Sequence, residues 1–318
     1  MNEFEIIEHY FQDLTAADPR VVCNIGDDAA VISVPPQREL VVSIDTLVGG
    51  VHFLADVDPA ALGHKALAVN LSDLAAMGAQ PAWMTMSLTM PGHNPEWLRS
   101  FTDGFARLAR HHGISLVGGD LSSGPLSITV QVMGLCEPGQ ALTRRGARVG
   151  DDVYLSGYPG EAGYGLLLLT GSDSRDPAGA EHCLERLLRP SPRVDLGLGL
   201  LGIAHAAIDI SDGVAADLNH ITDSSAVAAE IQLAALPLRP PLSELESDVL
   251  WNTVLTSGDD YELCFTVSPS SRDRVEALSA ALDFPLTRIG RIVAGSGVRF
   301  LFGDGTEFKV PESGYQHF

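Results

Sequence analysis

The chain has 318 residues, of which 45% are hydrophobic, so it is long and apolar enough to form two domains with ordinary cores. Its 41 acidic residues outnumber its 20 basic residues, and the formal net charge is -21. This excess argues against nucleic acids and anionic membranes as main partners. It leaves anionic substrates open, because carboxylates can hold Mg2+ ions that in turn bind phosphates.

The patterns of the first half predict a short amphipathic helix over residues 3–14 and a Gly-Asp-Asp turn at 26–28. A strand over 39–45 and a glycine-containing loop over 46–53 follow. After a buried helix over 58–78 come a strand over 81–90, a helix over 95–112, a strand over 114–117 and a strand over 125–136. This half therefore has a βαβαβ arrangement with extra strands.

The helix over 58–78 begins with Asp-Pro, ends at a glycine and is apolar on nearly every face, which is typical of a buried helix. Asn70 and Asp73 are three residues apart and share one face. Asp73 lies near the C-terminal end, where the helix macrodipole disfavours negative charge, and no Lys or Arg lies within four residues. A buried carboxylate there needs a cation from elsewhere, so we interpret Asp73 as a metal ligand.

The basic stretch over 139–150, which contains Arg144, Arg145 and Arg148, is the expected domain junction. We place an N-terminal domain at 1–138 and a C-terminal domain at 149–318. The predicted elements of the second half are a strand over 152–156, helices over 163–170, 180–189 and 193–204, a strand over 206–210 with a helix to about 222, strands near 227–231, 261–267, 286–293 and 298–302, and a helix near 271–282. They make a second α/β domain.

The four cysteines are scattered, with no Cys-x-x-Cys pair and no histidine at metal-binding spacing. We therefore expect reduced, mostly buried thiols in a cytoplasmic protein. The acidic, amphipathic N-terminus is unlike a signal peptide, and no apolar run reaches the length of a membrane span. The aromatic C-terminus over 314–318 suggests an end that folds back onto the body.

Five acidic segments recur along the chain: Gly26-Asp27-Asp28, Ser43-Ile44-Asp45, Asn70-Leu71-Ser72-Asp73, Gly119-Asp120 and Asp209-Ile210-Ser211-Asp212-Gly213. Three of them end a predicted strand, so we expect their carboxylates at one edge of a sheet, where ligands bind in open α/β folds. Carboxylates gathered without Lys or Arg repel one another unless divalent cations neutralise them. Oxygen-only ligands favour Mg2+ or Mn2+ over zinc.

Each motif alone also has a simpler interpretation, because Asp and Gly are common in turns and helix caps, and Asp212 could cap the helix that begins at Gly213. Arg144 and Arg145 are either phosphate contacts or solvated loop charges. His52 is, on sequence alone, more often a satisfied polar residue than a ligand. The acidic segment 257–265 either lines a substrate pocket or merely starts a strand.

No Walker A motif is present, so any ATP would be bound through metal ions and not through a P-loop lysine. The residues alone thus indicate a Mg2+-dependent enzyme that handles phosphates. A non-catalytic, acidic metal-binding or scaffold protein is the alternative from another class.

Together the motifs resemble the thiamine-monophosphate kinase family, within the superfamily that includes aminoimidazole ribonucleotide synthetase. The matching stretches span nearly the whole chain in order: GDDAAV (26–31), SIDTLVGGVHF (43–53), KALAVNLSDLAAMGAQPAW (65–83), GGD (118–120), ALTRRGA (141–147), RPSPR (189–193), IDISDG (208–213), SGDDYELCFT (257–266) and GYQHF (314–318). Any one stretch is weak, whereas the ordered set is highly specific.

The resemblance implies that ATP phosphorylates thiamine monophosphate to thiamine diphosphate. It implies an α/β fold of two domains and a homodimer whose N-terminal mixed sheets join across the interface. By the same resemblance, Asp73, Asp120, Asp209 and Asp212 are catalytic; Gly119, Asp120, Arg144 and Ser211 contact ATP; and His52, Asp259 and Tyr315 contact thiamine phosphate. The implied Mg2+ ligands are Asp28, Ser43, the carbonyl of Ile44, Asp45, Asp73, Asp120, Asp209 and Asp212.

Two positions depart from the family pattern, which often has Thr in place of Ile44 and Glu in place of Asp259. The first matters little if only the carbonyl binds, and at the second the shorter acid would reach the substrate through water. Other synthetases of the superfamily are the alternative enzymes, of selenophosphate, purine-pathway or hydrogenase-maturation type. Cys23 lacks the glycine-rich setting expected of a selenophosphate synthetase, and Phe318 stands where a hydrogenase-maturation factor would have a terminal cysteine.

Overall fold

The computed structural model describes residues 2–173 and 179–311. Contacts divide them into two units. The first contains the described residues up to Leu74 together with Ala79–Gly139, and the second contains Ala75–Gly78 and the residues from Gln140 onward. No helix within the described ranges has the length and apolarity to cross a membrane. The elements are those of a mixed α/β protein, as the sequence predicts.

The first unit is built on a four-stranded mixed sheet with the order β3-β6-β4-β5. Strands β4 and β5 are parallel, while β6 runs antiparallel to both β3 and β4. A short antiparallel pair, β1-β2, is separate from this sheet. The element bounds are α1 (Glu3–Tyr10), β1 (Val21–Cys23), β2 (Val31–Ile32), β3 (Glu39–Val48), α2 (Pro59–Ala76), β4 (Gln80–Met90), α3 (Pro95–His112), β5 (Ser115–Ser123) and β6 (Ser127–Cys136).

Helix α2 contacts β3 through Asn70 and Asp73 and β6 through Leu74, and most of its residues are buried. The Asp58 carboxylate caps its first turn by accepting from the amides of Ala60 and Ala61. Glycines let α2 and α3 approach closely, since a side chain at Gly63 would overlap the Phe101 carbonyl and one at Gly104 would overlap the Ala60 backbone. The predicted buried helix is therefore confirmed.

The second unit is built on a seven-stranded sheet with the order β13-β12-β9-β11-β7-β10-β8, in which only β9 and β12 pair in parallel. A large apolar core that includes Leu155, Ile208, Leu218 and Cys264 lies on this sheet. The element bounds are β7 (Asp152–Ser156), α4 (Glu161–Leu169), α5 (Ala180–Leu188), α6 (Val194–Gly199), β8 (Ala204–Asp209), α7 (Val214–Ser225), β9 (Ala228–Gln232), α8 (Ser247–Thr256), β10 (Leu263–Val267), α9 (Arg272–Leu282), β11 (Leu286–Val293), β12 (Gly297–Leu301) and β13 (Glu307–Phe308).

Several predicted boundaries are wrong. Strand β3 continues to Val48, so Asp45 does not end it, and β5 continues to Ser123, so Asp120 lies inside it. Helix α6 ends at Gly199, and helix α8 and the strands β1 and β13 were not predicted. All four cysteines are free, and Cys136, Cys183 and Cys264 are buried, as expected for mostly buried thiols.

Candidate active site

Two polar side chains of α2, Asn70 and Asp73, contact strand β3. The hydroxyl of Ser43 donates to Asp73 Oδ2 at 2.5 Å. The amide of Asp45 donates to Asn70 Oδ1 at 3.0 Å, while Asn70 Nδ2 donates to the Ala66 carbonyl at 3.0 Å. Asn70 and Asp73 thus share one face, as their spacing predicts. Asp73 itself is half-buried and not fully buried.

A cavity of about 640 Å³ lies in the first unit between α1, the Gly-Asp-Asp loop and strands β4 and β5. Its apolar wall includes Phe4 and Ile7 of α1 and Phe11, which follows the helix. Its polar wall includes three of the predicted site residues, which are Asp28, Gly119 and Asp120. Gly119 has a steric role, because a Cβ there would overlap the carbonyl of Met86 on the neighbouring strand.

Asp45 and Asp120 lie inside their strands, so the prediction that they end them is wrong, while their grouping in one site stays a prediction. Asp45 is on β3 and Asp120 is on β5, at opposite edges of the sheet with two strands between them. Three inter-strand spacings make this roughly 14 Å. Within residues 2–173 and 179–311, no three His, Cys, Asp or Glu side chains are grouped closely enough to hold a metal ion.

His52 and Ile44 are placed by β3 and the turn that follows it. The His52 ring accepts from the Val48 amide through Nδ1 at 2.9 Å, so the neutral ring carries its proton on Nε2. The ring is therefore oriented by the turn. The Ile44 side chain is exposed on the outer face of β3, away from the Ser43 and Asp73 side chains.

In the second unit, the segment after β8 makes a tight turn into α7. Asp209 is buried at the end of β8, while Ser211 and Asp212 are half-buried. Gly213 is the N-cap residue of α7 and no side chain caps it in the usual way, so Asp212 is not the cap. Instead, Asp217 Oδ2 accepts from the amides of Ser211, Asp212 and Gly213 at 3.0, 3.0 and 3.2 Å. Burial raises the pKa of Asp217 to about 7.

Segment 257–262 packs directly against this turn. The amide of Asp259 donates to the Ser211 carbonyl at 2.9 Å, and the amide of Tyr261 donates to the Ile210 carbonyl at 2.8 Å. Asp259 and Tyr261 have positive φ angles of 62° and 50°, which non-glycine residues rarely adopt. The Tyr261 hydroxyl donates to Asp259 Oδ1 at 2.9 Å. The second unit thus brings the predicted residues Ser211, Asp212 and Asp259 together.

Two arginines distant in sequence hold this segment through Glu262, which is 1% exposed. Arg186 Nη2 donates to Glu262 Oε1 at 2.7 Å, and Arg193 donates to both carboxylate oxygens. Ser156 Oγ also donates to Oε2 at 2.5 Å. Burial alone would raise the pKa of Glu262, but the guanidinium groups of Arg193 and Arg186 outweigh it and hold the pKa below its usual range. The sequence does not predict this cluster, because Arg193 and Arg186 lie 69 and 76 residues from Glu262 along the chain.

Asp260 lies next to the Glu262 cluster and is also buried, but its pKa is shifted in the opposite direction. It accepts from the amides of Gly160 at 2.7 Å and Ala162 at 3.2 Å. Burial nevertheless raises its pKa from 3.8 to about 7. Between pH 3.8 and about 7, Asp260 is protonated in the folded chain but ionised in the unfolded chain. The free energy of unfolding therefore falls as the pH rises through this range and levels off above about 7.

We therefore expect Asp260→Asn to lose less stability than the wild type when the pH is raised from about 5 to about 7.5. The stability of this variant should still fall as the pH rises, with a smaller slope than that of the wild type, because Asp217 contributes in the same direction. Urea unfolding at several pH values measures this, and Asp248→Asn, an exposed acid of α8, is the control that keeps the wild-type slope. An unchanged slope in Asp260→Asn would assign the pH dependence to other groups.

Comparisons with known proteins identify the family. Residues 26–136 match the family model described as AIR synthase related protein, N-terminal domain, and residues 148–302 match the corresponding C-terminal domain. The chain is 43% identical to a thiamine-monophosphate kinase of Escherichia coli K12 over 99% of its own length and 98% of that protein. The chain belongs to the thiamine-monophosphate kinase family.

Solved structures give the same result. A thiamine-monophosphate kinase from Stenotrophomonas maltophilia has a TM-score of 0.87 at 45% identity, covering 94% of this chain and 96% of that one. A ThiL protein in complex with AMPPCP and TMP has a TM-score of 0.79 at 34% identity, with 92% of both chains covered. The resemblance inferred from the motifs is therefore confirmed.

Arg144 and Tyr315 are the remaining predicted site residues of this thiamine-monophosphate kinase family member. Arg144 is exposed on a loop with a fixed backbone, since Ser225 Oγ donates to its carbonyl and accepts from the amides of Gly146 and Ala147. Tyr315, like the whole segment 314–318, lies outside the described residues. Asp217 lies outside the predicted motifs, whereas Arg193 and Glu262 lie inside RPSPR and SGDDYELCFT without having been given a role.

Proposed function

We propose that the chain transfers the terminal phosphoryl group of ATP directly to thiamine monophosphate, giving thiamine diphosphate and ADP. One observation carries the proposal: full-length similarity at 43% identity to a protein named thiamine-monophosphate kinase. The related structure with AMPPCP and TMP supports both substrates. We also propose a cytoplasmic location, which the free thiols of all four cysteines support.

The transfer requires that the two substrates be positioned and their negative charge neutralised, and it requires no general base. The accepting group is a phosphate oxygen that is already anionic at neutral pH, so no side chain has to remove a proton. The task is to align two polyanions for in-line displacement. Mg2+, when bound, supplies the positive charge that offsets the repulsion between them. The hard oxygen donors of Ser43, Asp45 and Asp73 suit Mg2+ by their chemistry.

We assign the nucleotide contacts to Gly119, Asp120, Arg144 and Ser211. The cavity supports the first two assignments, because its volume is that of a small-molecule site and it joins an apolar wall to a polar one. We assign the thiamine-phosphate contacts to His52, Asp259 and Tyr315. The proposed Mg2+ ligands are Asp28, Ser43, the Ile44 carbonyl, Asp45, Asp73, Asp120, Asp209 and Asp212, of which Asp73, Asp120, Asp209 and Asp212 are also proposed to be catalytic.

A turnover assay tests the proposal. Purified protein is incubated with ATP, Mg2+ and thiamine monophosphate, and thiamine diphosphate is followed by chromatography, with EDTA added in a control. We expect product that depends on all three additions and disappears with EDTA. Folded protein that binds Mg·ATP and makes no product would overturn the assignment of the acceptor, and the substrates of the sister synthetases would be tested next.

We further propose a homodimer joined along β3. The outer face of this edge strand carries Leu40, Val42 and Ile44, whose side chains are 43, 50 and 57% exposed. Such an apolar row on a sheet edge is an aggregation hazard unless it is covered, and a two-fold related copy covers it with an identical row.

The replacement Val42→Asp is expected to give a monomer where the wild type sediments as a dimer, because it would bury two carboxylates at the proposed interface. Sedimentation velocity at micromolar concentration measures this. Val249→Asp is the matched control, since Val249 has a similar exposure of 46% but lies on α8 in the second unit. A monomeric wild type, or a dimeric Val42→Asp variant, would contradict the proposed interface.

A further inference from the structure

The carboxylate of Asp217 has an unusual place at the start of α7. It is 2% exposed, and one of its oxygens accepts from three consecutive backbone amides, those of Ser211, Asp212 and Gly213. A helix is commonly capped by a side chain that precedes it and accepts from its first-turn amides. Here the direction is reversed, because a residue of the first turn reaches back to the chain that enters the helix.

The turn is held from its other side as well. Its Ile210 and Ser211 carbonyls accept from the amides of Tyr261 and Asp259. Gly258 allows this close packing, since a side chain there would overlap the Ser211 carbonyl. The backbone of 210–213 is thus fixed by donors on one side and by an acceptor on the other. The amides of Ser211, Asp212 and Gly213 and the carbonyls of Ile210 and Ser211 are thus already paired within the chain.

Three consecutive amides that point to one oxygen at a helix N-terminus are the arrangement with which proteins often bind phosphate. In this chain an internal carboxylate occupies that position. The amides of Ser211, Asp212 and Gly213 are therefore directed to Asp217 and not to an external anion. A phosphate group near this turn would have to be recognised by side chains.

We infer that Asp217 is a positioning residue, which fixes the turn so that Ser211 and Asp212 present their side chains to the nucleotide and its metal ions. The inference rests on the proposed function, which assigns Ser211 to ATP and Asp212 to Mg2+. Asp217 itself touches neither substrate. Its loss should impair the use of Mg·ATP much more than the recognition of thiamine monophosphate.

Steady-state kinetics with each substrate varied in turn provides the test. We expect Asp217→Ala to lower kcat/KM for ATP by roughly 10²-fold, the usual effect of a small misplacement in an active site, while the KM for thiamine monophosphate changes by less than about threefold. Asp217→Asn keeps an acceptor oxygen of the same size and should recover most of the lost activity. An ATP dependence unchanged in Asp217→Ala would overturn the inference.

Two control variants separate positioning from general destabilisation of α7. Leu218→Ala removes a fully buried apolar side chain next to Asp217 and should lower stability without a selective effect on ATP. Asp223→Asn removes an acid on the same helix that accepts from Asn219 and should behave as the wild type. A selective ATP defect in Leu218→Ala equal to that of Asp217→Ala would also overturn the inference.

Hydrogen exchange of the wild type provides a measurement that needs neither a stable variant nor turnover. The amides of Ser211, Asp212 and Gly213 should exchange as slowly as those inside α7, although they precede the helix. Fast exchange at all three would overturn the positioning role. If exchange is slow and the wild type makes no thiamine diphosphate, the proposed function fails while the fixed turn stands.

Discussion

Turnover by Asp73→Asn is expected to fall roughly 10³-fold, at the upper end of the effect of removing one preorganised electrostatic contact in an active site. Asparagine keeps the size of the side chain but removes its negative charge. It also changes the partner of the Ser43 hydroxyl, which donates to Asp73 Oδ2 at 2.5 Å. Since we propose that Asp73 holds Mg2+, the residual activity should need a higher Mg2+ concentration for its half-maximal value.

The assay for this variant is the formation of thiamine diphosphate at a series of Mg2+ concentrations, with thermal unfolding as a test of the fold. Asp103→Asn is the matched control, because Asp103 is an exposed acid on α3 of the same unit. It should keep the wild-type rate and Mg2+ dependence. Wild-type turnover in Asp73→Asn would remove Asp73 from the mechanism.

Replacement of Glu262 by alanine is expected to lower the free energy of unfolding by about 3–5 kcal/mol. The carboxylate is buried and is the shared acceptor of Arg186, Arg193 and Ser156. Arg186 is itself buried, so removal of Glu262 leaves its charge without that partner in a poorly hydrated interior. Such uncompensated charges are among the most destabilising changes in a protein core.

Urea unfolding near pH 7 measures the loss, with Glu230→Ala as the control. Glu230 also pairs with two arginines, Arg291 and Arg299, but both are more than half exposed, so its removal should cost less than about 1 kcal/mol. A loss in Glu262→Ala no larger than that of the control would contradict the argument.

The pH dependence of the Glu262 contribution has a definite sign. Because the folded-state pKa is lowered, its stabilisation is present above the ordinary glutamate value of 4.5 and is lost as the pH falls through the folded-state pKa. Glu262→Ala should therefore lack the part of the acid-induced loss of stability that comes from protonation of Glu262.

The sequence was sufficient for elements with a strong period and for motifs close together in the chain. Helix α2 has a start signal, a stop signal and an apolar pattern, and its Asn70 and Asp73 face one way as three-residue spacing requires. Strand β5 was cut short because Gly118 and Gly119 suggest a turn. Gly119 instead lets the strand pass close to the Met86 carbonyl, which no local pattern distinguishes from a turn.

Long-range pairing explains most of the remainder. Strand β6 lies between β3 and β4, so Asp45 on β3 and Asp120 on β5 are on the two outer strands of the sheet. The periodicity of an individual strand does not specify this order. The contacts of Glu262 with Arg186 and Arg193, like those that hold segment 257–262 on the turn before α7, join residues tens of positions apart. Asp217 was missed although it is near its partners, because an acid in a first helical turn usually only complements the dipole.

The position of β3 at the edge of its sheet also matters while the chain is being made. In the sheet its neighbour is β6, and Glu39 pairs with Cys136, 97 residues later. The ribosome therefore releases the apolar strand that carries Ser43 and Asp45 long before its partner has been synthesised. Closure of the first unit has to wait for β6, and in that interval the backbone N–H and C=O groups of β3 are open to pairing with other chains.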